Sequence, residues 1–206
     1  PFAGFGGALE FRGGHVETAA SFNQLADWTW EGWVMPSTGD YCFLYSEGNP
    51  QETLNILATS SQAVSVGTWN AELAGNWLQL STPSGVLGVG EWNYVAVTLS
   101  GGGVGTGTGT VYVNDQQFTG TLQMGNDVNT DAAALGDNIG STGTGGEASH
   151  PFVGVMDEVR IWDHARSAEE LLANRSHTLT GGESGLVHYW RFDHLQGAEQ
   201  LWDAAT

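Results

Sequence analysis

The chain has 206 residues, 40% of them hydrophobic, enough to bury one substantial core in a single domain. Its 23 acidic residues face five basic ones, all of them Arg, for a formal net charge of −18. That sign repels phosphates and anionic headgroups, so it excludes nucleic-acid and membrane-surface partners and leaves cations, neutral glycans and proteins.

With 31 Gly, nine Trp and 11% aromatic residues, the composition predicts an all-β chain of short strands and tight turns. Apolar alternation bounded by Gly, Pro, Ser and Asn predicts strands, in chain order, at ALEF (8–11), TWEGWVMP (29–36), YCFLYS (41–46), TLNILAT (53–59), AVSVGTW (63–69), WLQLST (77–82), WNYVAVTL (92–99), TVYVND (110–115), GVMDEVRIW (154–162) and GLVHYWRFD (185–193). Ten or so strands of this kind suit two packed sheets. The single Cys42, inside an apolar run, reads as a small buried residue and leaves the chain without disulfides. No stretch is long and apolar enough to span a bilayer. The chain starts at Pro1 without Met or a signal-like segment, which reads as a mature or excised portion of something larger.

Strand faces follow from the period of two. Val95, Val97 and Leu99 share one face, and the Asn114-Asp115 pair suits a tight hairpin turn. In GVMDEVRIW, Val155, Asp157, Val159 and Ile161 alternate with Met156, Glu158, Arg160 and Trp162, so one acid falls on each face. In GLVHYWRFD, Leu186, His188, Trp190 and Phe192 face one way and Val187, Tyr189, Arg191 and Asp193 the other. LSGGGVGTGTGTVYV, with neither Lys nor a following helix, is no phosphate cradle and reads as a long Gly- and Thr-rich hairpin connection. GDNIGSTGTGGEASHP reads the same way. RSAEELLANR is the one helix predicted, opened by a Ser167–Glu170 capping box.

Several segments resemble, in order, the successive signatures of the laminin-G-like, concanavalin-A-like jelly-roll domains: ALEFRGGHVET, DWTWEGWVMPS, GEWNYVAVTLSG, TVYVNDQQF, PFVGVMDEVRIWDHARSAEEL and GLVHYWRFD. Residues 37–90 carry the weakest resemblance. The likeness implies one domain over 1–206, a two-sheet antiparallel jelly-roll sandwich with one short helix, and 185–206 as terminal strand and tail. It also implies an extracellular or cell-surface protein that binds glycans or other proteins, often with Ca²⁺. Where the family often carries Asp-Gly after its first strand, this chain has Arg12-Gly13, a cation where a calcium ligand would help.

Asp157 and Glu158 are the most informative acids, because a carboxylate among apolar neighbours needs a partner. They read either as Ca²⁺ ligands, since this cation takes six to eight oxygens, or as members of a structural ion pair with Arg160 or Arg191. Trp69, Trp77 and Trp92 lie near turns and are the candidates for stacking on a sugar, while Trp30 and Trp33 belong to the packing. Asn174, in Asn-Arg-Ser, matches the N-glycosylation pattern. Catalysis finds little support. The Glu-x-Asp-x-x-Glu pattern of related hydrolases is absent, Asp27 and Glu31 lack its spacing, and the six His residues are dispersed.

The leading expectation is therefore a non-catalytic recognition and adhesion module for a glycan or protein. The alternative is a subunit of an extracellular filament assembled head to tail, with the strand at 185–193 inserted into the next subunit rather than its own sheet. A glycoside hydrolase of the same fold comes third.

Overall fold

A computed structural model describes residues 6–18, 25–47, 54–67, 80–102, 105–124, 133–137, 150–193 and 203–205. Its strands are β1 (Leu9–Arg12), β2 (Val16–Thr18), β3 (Trp28–Pro36), β4 (Cys42–Glu47), β5 (Leu54–Ala58), β6 (Val64–Gly67), β7 (Leu80–Ser81), β8 (Asn93–Ser100), β9 (Thr106–Val113), β10 (Gln116–Gln123), β11 (Ala133–Leu135), β12 (Val153–Trp162) and β13 (Leu186–Trp190), with one helix, α1 (Ala168–Asn174), before the last strand.

Two antiparallel sheets form. The first runs β1-β12-β3-β8-β9-β10, with β13 also paired to β12, and the second runs β2-β11-β4-β5-β6-β7. The core between them is built from alternate residues of each strand. Trp28 and Trp30 on β3, Val95, Val97 and Leu99 on β8, Val111 and Val113 on β9, and Val159 and Ile161 on β12 meet Leu54, Ile56, Val64 and Val66 of the second sheet. Each large apolar side chain removed from water contributes about 1.5–3 kcal/mol, which is why strands this rich in Val, Leu and Trp stay paired back to back. Cys42 is buried in this core, and burial, with Asp40 nearby, pushes its thiol up to about 12.

Two sequence expectations change. The Gly- and Thr-rich stretch after β8 is not all loop, because β9 begins at Thr106. The Gly-Thr alternation is itself a strand pattern. Thr108 and Thr110 face outward and Gly107 and Gly109 inward, where a Cβ on Gly109 would lie 2.9 Å from Leu122 Cβ and 3.1 Å from Leu80 Cδ2. A Cβ on Gly120 of β10 would come within 2.8 Å of Leu80 Cδ1. The bare glycines let β7 of the second sheet close onto β9 and β10.

The alternation in GVMDEVRIW also breaks. β12 carries a bulge, its register on β3 shifting between Asp157 and Arg160, with Glu158 at φ 52°. Asp157 pairs with Trp33 and Arg160 with Glu31, so the extra residue returns Arg160 to the face that Asp157 occupies. Glu158 points to that same outer side, against Arg160 and Tyr189. The acids therefore do not lie on opposite faces.

The last strand joins its own sheet, as the leading expectation of a closed sandwich has it. β1 pairs with Val153–Met156 of β12 and β13 with Val159–Trp162, so the two share one edge of β12, one on each side of the bulge. The register slips between Ile161 and Trp162, which turns Leu186 toward Trp162, Leu179 and Tyr189 while Trp190 and Phe192 stay in the main core. The far edge of β13 is capped from the C-terminal tail: Asp203 Oδ1 accepts the Tyr189 N–H at 2.9 Å, and the Ala204 N–H reaches Tyr189 O at 2.7 Å. Leu186–Trp190 thus pair within their own chain. Among the described residues no helix is long and apolar enough to cross a membrane.

Candidate ligand-binding cleft

The outer face of the first sheet carries polar and charged side chains among its aromatics where the inner face is apolar, because the same strands alternate. Glu31, Trp33, Tyr94, Arg160 and Trp162 project there, under the segment that carries α1. A buried charge network ties that segment down. Glu31 is fully buried; its Oε1 accepts from Trp162 Nε1 at 2.7 Å and Arg166 at 3.0 Å, and its Oε2 accepts from the Tyr94 hydroxyl. Arg160 donates to Glu158 Oε2 at 2.5 Å, to His177 O at 2.5 Å and to Asn174 O at 3.1 Å. Tyr189 donates to the same Glu158 oxygen at 2.5 Å. Burial, reinforced by Glu31, pushes the Tyr94 hydroxyl well above its ordinary value, so it is a donor at all ordinary pH.

α1 sits on this network by its own chemistry. Ser167 caps the first turn and Glu170 returns the capping box, with the Ser167 N–H holding the Glu170 carboxyl below its usual range. Leu171 packs against Trp33, Tyr94 and Ala96. Trp33 Nε1 donates to Arg175 O at 2.6 Å at the helix's far end. Only part of the sheet face is covered, and the uncovered part begins at Tyr112.

Between α1 and the β9-β10 hairpin lies a cleft of ≈ 290 Å³. One wall is Ala168 and Leu172 of the helix, the floor is the rings of Tyr94 and Tyr112, and the other wall is Gln116 and Gln117. Leu172 is 59% exposed, an apolar side chain left in water at the rim. Asn114 takes φ 55° in the two-residue turn between β9 and β10, which brings Asp115 toward the helix. Arg175 closes that end of the cleft, donating to Asp115 Oδ1 at 2.8 Å and to Asn114 O at 3.0 Å. Burial raises the Tyr112 hydroxyl, leaving it a neutral donor and acceptor over the cleft.

Of the residues singled out from sequence, Trp92 is half-buried and packs on the Trp33–Tyr94–Leu171 cluster that floors this region. Trp69 and Trp77 lie outside the described residues. Asn174 ends α1, half-buried, with its carbonyl bound to Arg160. Arg12 pairs with Glu10 at 2.7 Å on the exposed end of β1.

Glu158 is held in an ion pair, and one carboxyl oxygen of Asp157 is engaged by the backbone. Glu158 is committed to Arg160 and Tyr189 through Oε2 and to Thr178 through Oε1 at 3.4 Å. A guanidinium so close opposes a second cation. Asp157 Oδ1 accepts the Glu158 N–H at 2.9 Å, and burial, then the Glu158 charge, lifts its carboxyl to about 7. Among the described residues no group of three or more His, Cys, Asp or Glu side chains is arranged around one point for a metal. The ion-pair expectation of Glu158 with Arg160 is the one realised.

Sequence reasoning missed Tyr112, Gln116, Gln117 and Leu172. Their signals were present: Tyr112 stands opposite the two valines of VYV, two amides follow the turn, and the helix carries a second Leu beside the one it buries. A further set of buried polar side chains was also missed, on the second sheet. Ser46 donates to Asp137 O at 2.8 Å, Tyr45 to Glu47 Oε1 at 2.6 Å, and Ser65 meets Ser81 at 2.7 Å.

The fold has known relatives. The carbohydrate-binding module CBM40 of the Ruminococcus gnavus IT-sialidase superposes with a TM-score of 0.65 at 16% identity, over 82% of this chain and 96% of that one. A candidate carbohydrate-binding protein of Bacteroides ovatus gives 0.62 at 20% identity, over 96% of this chain and 52% of that one. A Streptococcus pneumoniae sialidase gives 0.64 at 19%, this chain covering 90% of itself and 30% of the enzyme. At these identities the likeness concerns the fold. No curated protein matches the sequence significantly. Residues 11–172 match the family model of the concanavalin A-like lectin/glucanases superfamily, and the chain belongs to that family.

Proposed function

We propose that the protein is a non-catalytic carbohydrate-recognition module that holds a short saccharide in the cleft between α1 and the β9-β10 hairpin. The observation that carries the reading is the cleft's construction: a tyrosine ring as floor, flanked by side-chain amides and one exposed leucine. A pyranose has one apolar face and a rim of hydroxyls, so it matches a ring below and amide donors and acceptors beside it. At ≈ 290 Å³ the cleft stands at the small end of ligand sites, suited to one or two sugar rings rather than a long buried chain.

Two further points support the reading. The R. gnavus module of the same fold has been solved bound to α2,3-sialyllactose and to α2,6-sialyllactose. The buried glutamates of the outer face, Glu31 and Glu158, are both held by arginines beneath the α1 segment, which leaves neither free for acid–base work on a sugar. We place the module at the cell surface or outside the cell, the setting in which laminin-G-like domains meet glycans.

The test is binding of a panel of immobilised oligosaccharides by the protein and by Tyr112→Ala and Tyr112→Phe variants. The reading expects retention of at least one oligosaccharide, loss with Tyr112→Ala and survival with Tyr112→Phe, because the ring supplies the contact. Undiminished binding by a folded Tyr112→Ala protein would move the site elsewhere.

A further inference from the structure

We infer that the cleft selects an uncharged saccharide, and that Asp115 is the residue that excludes anionic sugars. The inference rests on the cleft being the saccharide site and goes on to name the class of ligand.

A sugar acid, whether a sialic acid or a uronic acid, is held most strongly where a cation faces its carboxylate. Strong recognition of that group uses the paired N–H donors of an arginine. The chain has no Lys, its basic residues being Arg12, Arg160, Arg166, Arg175 and Arg191. Each is already paired with a carboxylate. Arg12 meets Glu10 at 2.7 Å, Arg160 meets Glu158 at 2.5 Å, Arg166 meets Glu31 at 3.0 Å, Arg175 meets Asp115 at 2.8 Å and Arg191 meets Asp193 at 2.8 Å.

Only Arg175 lines the cleft, and two of its nitrogens are engaged at the hairpin turn. One nitrogen holds Asp115 Oδ1, another holds the Asn114 carbonyl, and the guanidinium carbon stands 5.9 Å from the Tyr94 ring centroid. Asp115 itself is 82% exposed at the side chain, so a carboxylate stands at the mouth where an incoming sugar acid would approach. An anionic ligand would have to displace Asp115 and then lie beside it. The net charge of −18 adds long-range repulsion to that local barrier. The remaining walls, Tyr112, Gln116, Gln117, Ala168 and Leu172, are uncharged, and the tyrosine and the two glutamines offer donors and acceptors to sugar hydroxyls.

The experiment compares neutral and acidic members of matched pairs: lactose with 3′-sialyllactose and 6′-sialyllactose, and xylo-oligosaccharides with and without a glucuronic acid branch. Each is presented on an array to the protein and to Asp115→Asn and Tyr112→Ala variants, with circular dichroism confirming the fold of each. Asp115→Asn keeps the turn's shape and removes the negative charge that neutralises Arg175. The expected result is that the protein retains neutral members only, at least tenfold better than their acidic partners. Asp115→Asn should narrow that ratio at least tenfold, and Tyr112→Ala should lose all binding. Retention of acidic members by the unaltered protein, lost in Tyr112→Ala, would overturn the neutral selection while leaving the saccharide site standing. An unchanged ratio in Asp115→Asn would overturn the role of Asp115. Retention of no glycan, or binding indifferent to Tyr112→Ala, would overturn the site and this inference with it.

Discussion

The buried network under α1 makes a quantitative demand on stability. Replacing Arg160 by Met keeps the length and packing of the stem but removes the guanidinium. Glu158, whose side chain is 1% exposed, then retains only the hydroxyls of Tyr189 and Thr178, and the carbonyls of Asn174 and His177 lose their donor. Breaking a buried pair in this way costs about 3–5 kcal/mol, because the surviving charge stays desolvated. At ~2–4 °C per kcal/mol for a domain of this size, the melting temperature should fall by about 6–20 °C. Urea unfolding followed by tryptophan fluorescence reads the same loss as a lower midpoint at unchanged slope. The double variant Arg160→Met/Glu158→Gln should recover more than half of it, since a neutral amide needs no cation. A single variant within ~1 kcal/mol of the unaltered protein, or a double variant no better than the single, would refute the network as drawn.

Asp157 predicts a pH effect. Its folded carboxyl sits near 7, above the unfolded value of 3.8, so its favourable contribution is complete below about pH 4 and is lost as pH rises through about 7. Asp157→Asn should therefore match the protein at pH 4 and exceed it at pH 8 by on the order of 2 kcal/mol, read from urea midpoints at the two pH values. Gly109→Val should cost ~1–3 kcal/mol by overpacking against Leu122 and Leu80, measured in the same assay. Deleting residues 185–206 removes β13 with buried Tyr189, Trp190 and Phe192, and at about 3–5 kcal/mol per large aromatic this exceeds the margin of a typical domain. Circular dichroism should then show no folded monomer; a folded monomer that had merely lost self-association would restore the filament reading.

The architecture was legible because period-two alternation is strong where one face is aliphatic. WNYVAVTL and TWEGWVMP declare their core faces outright, and VYVND declares its turn. The pattern failed where backbone geometry, rather than side-chain polarity, set the outcome. Glu158 bulges out of β12, which no alternation can announce, and one inserted residue moved both acids to one side. β9 hid behind its glycines because the strand is defined there by what is missing at Gly109, a space that Leu80 fills from the other sheet. The cleft was illegible for a different reason. It joins α1 and its C-cap Arg175 to a hairpin at 112–117, two segments far apart in sequence, and only the folded outer face brings them together. The tryptophans drew attention as the larger rings, yet the ring that floors the open face is Tyr112.

An uncharged saccharide bound between α1 and the β9-β10 hairpin would perturb the backbone amides around it. The most direct measurement is titration of ¹⁵N-labelled protein with the neutral oligosaccharide best retained on the array, followed by mapping of the shifted amide signals. The largest shifts should fall on Tyr112, Asn114, Gln116, Gln117, Leu172 and Arg175, the residues that surround the cleft. Shifts confined to the six-stranded sheet, with these signals unmoved at saturation, would contradict binding in the cleft.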